Sequence, residues 1–460
     1  MLDIVGATMK NLASMTERVK PAPGRDRTSA APIPPVTVAL DPGTAAWSLR
    51  RLLRRVSVAL GTPPLDPVLA VTRPFRLEGG AGLAAVRAAI RPAIPAAPWL
   101  AYDLDGFAAG PGGTVGLGLR PSAPLEAAAA AIEAALSSVA VPADLPGEQF
   151  LVPAARGLDR RALRAALPAL GLARLPWYRR LLAPFGAAGA AADLPPPLRP
   201  HEAIRLLVLV GGRPAAGYDL AARRWLSRAE LGDRAAQGTA LRGYRRARGF
   251  ELAAPAPHRP GETWLLSDLH LGHPGIALYA ARPFLASDVG EMDRVLVGNW
   301  RSTVAPEDRA FLLGDLCAGP DPGAYRAAVA GLTGRLTLVR GNHDPDLPGL
   351  ARSVAFEAGG HRFHAVHDPA DAPRKIDGWV VHGHVHDSDL RRFPFFDPVA
   401  RRINVSVETA GYRPVPLSLV CDLIRTESRP ILVRGPEPPP PGAFAVGGPD
   451  TSLLKGGVTM

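Results

Sequence analysis

The sequence predicts two folded parts, an α+β N-terminal domain followed by an α/β C-terminal domain. Three observations predict this. The chain of 460 residues exceeds what one ordinary hydrophobic core supports. Near Glu262 the pattern changes, from short apolar runs mixed with Ala/Leu/Arg helical periodicity to repeated strand-then-loop units. Histidine is also segregated: residues 1–200 contain none, His201 and His258 lie on the approach, and the other nine of the eleven fall between 270 and 386. The C-terminal segment therefore needs imidazoles.

Composition narrows the class. Hydrophobic residues make up 47% and charged residues 21%, which is globular rather than disordered. The two cysteines, Cys317 and Cys421, make no disulfide framework and fit a reducing cytoplasm. The first twenty residues lack the compact apolar core of a signal peptide, and no run approaches about 18 apolar residues, so no membrane association is expected. The Ala-rich run Ala127–Val141 is interrupted by Glu133 and reads as an amphipathic helix. The formal net charge is +11. A basic surface would suit a polyanionic substrate. Arginine outweighs lysine so strongly, alongside abundant Ala, Gly and Pro, that the codon bias of a GC-rich genome is the simpler account of the charge.

In chain order, residues 1–33 are polar and aperiodic and read as a flexible leader. Residues 34–232 form the first domain. Val36–Leu40 reads as a strand, Ala45–Leu60 as a helix and Val68–Val71 as a strand. Leu83–Ile94 and Leu125–Leu136 have helical periodicity, and Ile204–Val210 reads as a strand entering the turn Gly211-Gly212-Arg213-Pro214. Residues 233–261 read as a linker with some helix, 262–435 as the second domain, and 436–460, with its Pro-rich start, as a disordered tail.

In the second domain, five strand-like runs each deliver Asp, Asn or His at their C-terminal ends. Thr263–Leu266 leads into Ser267-Asp268-Leu269-His270, and Arg309–Leu313 into Gly314-Asp315. Arg335–Arg340 leads into Gly341-Asn342-His343-Asp344, and Phe363–Val366 into His367-Asp368. Trp379–Val381 leads into His382-Gly383-His384-Val385-His386. Ligands of open α/β sheets bind at such strand ends. Asp268 and His270, like His384 and His386, are two apart, so in extended backbone both members of each pair face one way. Mixed Asp, Asn and His donors suit Mn, Fe, Zn or Co rather than Mg or Ca.

These five blocks, in this order over about 170 residues, resemble the motifs of the calcineurin-like metallophosphoesterases. Gly272-His273, Arg282-Pro283-Phe284, Asn299-Trp300 and Asn404-Val405-Ser406-Val407-Glu408 are similar to segments of small bacterial members. The resemblance implies a β-sandwich flanked by helices and two divalent cations, with Mn²⁺ favoured. One cation would take Asp268, His270, Asp315 and His386. The other would take Asp315, Asn342, His367 and His384, with Asp315 as the bridge. His343 would contact the phosphate or protonate the leaving oxygen, and Asp344 would orient His343. The implied reaction is hydrolysis of a phosphomonoester or phosphodiester by a hydroxide bridging the ions.

Several other residues have two readings. His273 could touch substrate or cap a loop. His382, two before His384, matches no family ligand position and reads as structural, as do His361 and His364 on the preceding strand. Asn299 and Trp300 read as helix packing, and Cys317 as core.

The first domain resembles the two-histidine phosphoesterase fold of RNA ligase-like and cyclic phosphodiesterase proteins. The resemblance rests on Val68–Leu77, a following helix, Trp99–Gly106, Thr114–Leu119 and Tyr218-Asp219-Leu220. The two His-x-Thr/Ser motifs would fall at Ala70-Val71-Thr72 and Leu151-Val152-Pro153, where both histidines are missing. A cleft without histidine cannot run His–His acid/base catalysis. It could still bind phosphate through Thr72, Arg73 and Arg156, or those arginines could be solvated surface. The expected substrate is a phosphorylated small molecule or a nucleic-acid end. In the alternative reading the first domain binds RNA or nucleotide ends and the second trims phosphates from them.

Overall fold

A computed structural model describes residues 34–78, 80–145, 148–159, 161–162, 201–252, 261–373 and 375–434. The expected leader 1–33 and tail 436–460 lie outside the described residues.

The N-terminal strands are β1 (Val36–Leu40), β2 (Leu69–Ala70), β3 (Phe75–Leu77), β4 (Leu100–Gly110), β5 (Thr114–Pro121), β6 (Ala140–Pro142), β7 (Leu151–Ala155), β8 (His201–Ala203), β9 (Arg205–Val210), β10 (Arg213–Asp219) and β11 (Arg224–Ser227). One antiparallel sheet runs β11-β10-β9-β1-β3-β6, with β2 also paired to β1, and a second runs β7-β5-β4-β8. Strand alternation explains the burial of β1: Val36, Val38 and Leu40 face the main N-terminal core, while Ala39 meets Leu207 and Leu209 on the other side. Helices α1 (Ala46–Ala59), α2 (Leu83–Ile90) and α3 (Ala123–Leu136) accompany these sheets. Helix α1 buries Leu49, Leu53 and Val56 at helical spacing and leaves Arg50, Arg51 and Arg54 exposed. Helix α3 starts where the Ser122 side chain accepts from the Leu125 amide, with proline in the first turn. Strands β2 and β7, where the two His-x-Thr/Ser motifs were expected, adjoin: the Phe150 amide donates to Ala70 O at 2.8 Å, and Gln149 Nε2 to Val71 O at 3.0 Å.

The expected linker, 233–261, carries a packed helix, and a short one ends just before it. Helix α4 (Arg228–Gly232) is closed by a reciprocal Ser227–Glu230 cap, and α5 (Arg234–Ala247) buries Ala240 and Tyr244 in the C-terminal core. Tyr244 Oη donates to Glu202, and the Arg248 guanidinium pairs with Glu202 at 3.1 Å and lies over the Trp99 ring. Arg245, fully buried, reaches Pro283 O, Glu251 and Glu291 at 2.9–3.2 Å. The stretch 233–252 is thus structural, because its arginines and Tyr244 find buried acceptors that sequence spacing does not reveal. Residues 253–260 lie outside the described residues.

The C-terminal strands are β12 (Thr263–Leu266), β13 (Arg309–Leu313), β14 (Arg335–Val339), β15 (Ser353–Ala358), β16 (His361–Val366), β17 (Trp379–His382), β18 (Phe396–Asp397), β19 (Arg402–Asn404) and β20 (Val415–Pro416). They form two mixed sheets, β14-β13-β12-β20 and β15-β16-β17-β19-β18, over one shared core. Strands β12, β13 and β14 are mutually parallel, as are β16, β17 and β19. A parallel bridge between Ser267 and Ser406 joins the sheets at one end. Helices α6 (Ile276–Tyr279), α7 (Val289–Arg301), α8 (Pro322–Ala330) and α9 (Leu417–Thr426) supply the crossovers and cover. The C-terminal ends of the parallel strands of both sheets open onto one rim.

Replacing Arg245 by alanine removes the fully buried cation shared by Glu251 and Glu291, leaving Glu291, whose side chain is only 7% exposed, to the solvent-facing Arg242 and Arg294. Arg245→Ala should lower unfolding free energy by about 3–5 kcal/mol, read as an earlier urea midpoint. A shift under about 1 kcal/mol would show that α5 is not integral to the fold.

Candidate metal centre

The residues expected at the five strand ends converge. One ligand atom each from Asp268, His270 and His386 lie within 4.8 Å of one another, and the same holds for Asp315, His367 and His384. The two groups adjoin through Asp315, whose Oδ2 is 3.5 Å from His270 Nε2 and 3.4 Å from His367 Nε2. Asn342 Oδ1 lies 2.9 Å from both His367 Nε2 and His384 Nδ1.

The backbone route to this convergence differs from the extended one that the two-residue spacing suggested. Asp268, His270, Asp315, His384 and His386 have φ of 63°, 51°, 53°, 70° and 49°. All five sit in the left-handed region that side-chain-bearing residues rarely adopt, at a typical cost of about 1–3 kcal/mol each. Strands β12, β13 and β17 therefore end in sharp turns that swing these side chains inward. Two glycines make room: a Cβ on Gly341 would stand 2.1 Å from Asp315 Oδ1, and one on Gly383 would stand 2.3 Å from Asp268 Oδ2.

The surrounding hydrogen bonds fix which nitrogens point inward. His367 Nδ1 faces Leu313 O at 2.8 Å, and that contact requires a donor, so in the neutral ring Nε2 is the inward acceptor. His386 Nδ1 likewise faces Glu408 Oε2 at 3.0 Å, leaving Nε2 toward Asp268. Both ring nitrogens of His270 are buried with no hydrogen-bond partner among the described residues. Lone pairs of imidazole, amide and carboxylate thus face each other across short gaps. Such an arrangement is repulsive until positive charge enters it, and these donors fit divalent cations that accept mixed O and N ligands.

The protonation tendencies express the same demand. Burial lowers the His270 pKa to about 4. Burial opposes protonation of His367 too, but its bond to Asp315 and the charges of Asp268 and Asp315 hold it at about 9. Against burial, the charges of Glu408 and Asp268 raise His386 to about 9. Asp315, despite burial, is drawn down to about 2 by His367, the His343 amide and His270.

A buried frame supports the cluster, and sequence reading assigned it no role. The Arg282 and Glu408 side chains are both at 0% exposure and pair at 2.7 Å. Arg282 Nη2 donates to Asp268 O at 2.7 Å and Nη1 to Leu269 O at 2.8 Å. Glu408, held well below the usual carboxylate range by Arg282 and His386 despite burial, orients His386. The chain from Asp268 through Arg282 and Glu408 to His386 ties the first block to the last. The only sequence signal was a charged residue within each of the segments Arg282-Pro283-Phe284 and Asn404–Glu408.

Other expected residues fall as follows. His343 is exposed at the mouth, its ring 5.2 Å from that of His270, and its amide donates to Asp315 Oδ1 at 2.9 Å. Asp344 does not orient His343. Its oxygens accept from the amides of Asp315, Leu316 and Gly341 at 2.8–3.0 Å, so it holds the loop of Asp315. His273 Nδ1 accepts from the Ile276 amide, and its ring stands 5.7 Å from His270 and 6.3 Å from His343. It caps α6 and also faces the mouth. His382 is buried beside Phe393 and stays outside the cluster, as do His361 and His364 on β16. Asn299 bonds Phe250 O, Tyr412 O and the Leu252 amide. Burial raises the Cys317 thiol to about 11, which suits a core position.

The residues expected to contact substrate in the N-terminal part have partners within the chain. Thr72 is fully buried and its Oγ1 accepts from the Val38 amide at 3.0 Å, so no ligand reaches it. Arg73 is bound to Glu133 through its amide and guanidinium, and Arg156 is bidentate on Glu148. Each guanidinium thus has an intramolecular carboxylate partner.

Residues 262–457 match the calcineurin-like phosphoesterase family, and through this segment the chain belongs to that family. It is 37% identical over 163 residues to the uncharacterized protein MJ1445 of Methanocaldococcus jannaschii, covering 35% of this chain and 90% of that one. It is 40% identical over 88 residues to the Gene 66 protein of Mycobacterium phage L5, covering 19% and 41%. Among solved structures, a protein of unknown function, AQ665 from Aquifex aeolicus, aligns at 23% identity with a TM-score of 0.27, over 36% of this chain and 100% of that one. The match supports a metal-dependent phosphoesterase in this segment, in a family whose members bind divalent cations. No helix among the described residues is long and apolar enough to cross a membrane.

The raised pKa of His367 and His386, from 6.5 to about 9, sets a pH dependence for metal-free protein. Their contribution to stability is fully present below about pH 6.5 and is lost as pH rises through about 9. His270, lowered to about 4, adds the opposite trend below about pH 6.5. Thermal melts in chelator should therefore decline from pH 6.5 to 9.5, and added Mn²⁺ should reverse the decline because cations replace the protons. A metal-free melting temperature that is flat or rises over this range would contradict the geometry.

Proposed function

We propose that the C-terminal domain is a dinuclear phosphoesterase acting on phosphomonoesters or phosphodiesters. The observation that carries this reading is the pair of donor groups adjoining through Asp315, with the buried Nε2 of His270, which has no hydrogen-bond partner among the described residues, near both the Asp268 and Asp315 carboxylates. Asp268, His270, Asp315 and His386 would hold one cation. Asp315, Asn342, His367 and His384 would hold the other. The mixed donor set favours Mn²⁺, with Fe, Zn or Co as substitutes. Bound together, two such ions supply charge neutralisation of the phosphoryl group and activation of a water.

The chain's own residues do the rest. Asp315 joins the two ion sites, and the His343 and His384 amides hold the carboxylates of Asp315 and Asp268. Arg282 and Glu408 keep the Asp268 and His386 turns in register. His343, exposed and close to His270, donates the proton that the departing ester oxygen requires, a step worth about 10²–10⁴-fold. His273 lies across the mouth from His343 and contacts the substrate. The N-terminal part fits a degenerate two-histidine phosphoesterase relative: two antiparallel sheets bring β2 and β7 together without catalytic histidines.

With Mn²⁺, the protein should hydrolyse an aryl phosphomonoester or phosphodiester, and chelator should abolish this. Asp315→Asn should remove most activity together with bound metal. His343→Ala should lower kcat by about 10²-fold or more while metal content measured by mass spectrometry stays near wild type. Activity that persists in chelator, or equal metal loss in both variants, would overturn the assignment.

A further inference from the structure

Among the cation-bearing surfaces, helix α1 differs from the paired arginines of the N-terminal cleft. Its outward face carries Trp47, Arg50, Arg51, Arg54 and Arg55. Arg50 meets Asp66 at 3.6 Å, and Arg51 lies over the Trp47 ring at 5.3 Å. Among the described residues, Arg51, Arg54 and Arg55 make no ion pair. From Trp47 to Arg55 the helix rises about 12 Å.

This ridge is linked to the metal centre by a path of rings. Trp47 packs edge-to-face on Tyr279 of α6, with centroids 5.5 Å apart. Tyr279 is 68% exposed. A Cβ on Gly275 would stand 2.9 Å from His273 Cε1 and 3.0 Å from Tyr279 Cε2, so both rings flank that glycine. His273 in turn faces His270 and His343. The sequence His343, His273, Tyr279, Trp47, Arg51 therefore runs from the centre onto the arginine face.

We propose that this ridge binds single-stranded nucleic acid and leads its phosphates to the metal centre, an inference that rests on the phosphoesterase reading above. Free guanidiniums along one helix face match a polyanionic backbone. An exposed tyrosine beside them matches an unstacked base, which a duplex would not offer. A lipid surface fits less well, because the apolar side of α1, Leu49, Leu53 and Val56, is buried in the protein core.

The test uses the full chain in chelator, so that binding is read without cleavage. Fluorescence anisotropy with labelled 12-nucleotide RNA and DNA strands should show binding that weakens with salt. The triple variant Arg51→Gln, Arg54→Gln, Arg55→Gln should bind about tenfold or more weakly and flatten the log–log salt slope, by about 0.7 for each phosphate no longer neutralised. Tyr279→Ala should weaken binding about fivefold or more. Thermal melts check that each variant is folded. If the triple variant melts early, the exposed Arg54→Gln alone decides, by a flatter slope. Three results overturn the proposal: no strand binding by wild type at low salt, unchanged binding by folded variants, or binding to phosphatidylserine vesicles without binding to either strand. Aryl ester hydrolysis by wild type with Mn²⁺ is measured in parallel, so failure of the phosphoesterase reading and failure of this one are told apart.

Discussion

Mutual repulsion among inward-facing lone pairs is the constraint on which the C-terminal domain depends. Carboxylates of Asp268 and Asp315, the amide oxygen of Asn342 and the imidazoles of four histidines meet within a few ångströms. With the histidines neutral, nothing in their own chemistry favours this assembly. It persists because two parallel strand sets end on one rim, and because the backbone accepts five left-handed residues there. Strain of this kind survives only where the surroundings over-determine it. The demand for positive charge that results is the property the family's chemistry exploits.

The over-determination is visible in the buried polar network. Asp344 gathers three amides around the Asp315 turn, while Arg282 gathers two carbonyls and Glu408 around the Asp268 turn. A buried ion pair adds little net stability by itself, since desolvation offsets attraction. Its value here is geometric: removing either partner leaves an unpaired buried charge and frees a ligand-bearing turn. Helix α5 extends the same logic outward, as Arg245 links Glu251, Glu291 and the Pro283 carbonyl just beyond Arg282.

How much was legible in the sequence follows from which forces are local. Thr263–Leu266 and Arg309–Leu313 were readable to the residue because fully buried strands are continuous apolar runs ended by polar ligands. The donor set was readable because metal chemistry restricts residue type. The backbone that aims those donors was not, since the two-residue spacing suggested extended chain and the structure uses left-handed turns. The Arg282–Glu408 pair spans 126 positions, and one sequence carries no sign of such a contact. The same blindness misassigned Asp344, made a linker of α5, and offered Thr72, Arg73 and Arg156 to a substrate although Val38, Glu133 and Glu148 already engage them.

Anomalous scattering from crystals soaked in Mn²⁺ would decide whether Asp315 joins two ions. Two peaks about 3.5–4 Å apart are expected astride Asp315, one bounded by His270 and His386 and the other by His367 and His384. A single peak, or peaks away from Asp315, would contradict this.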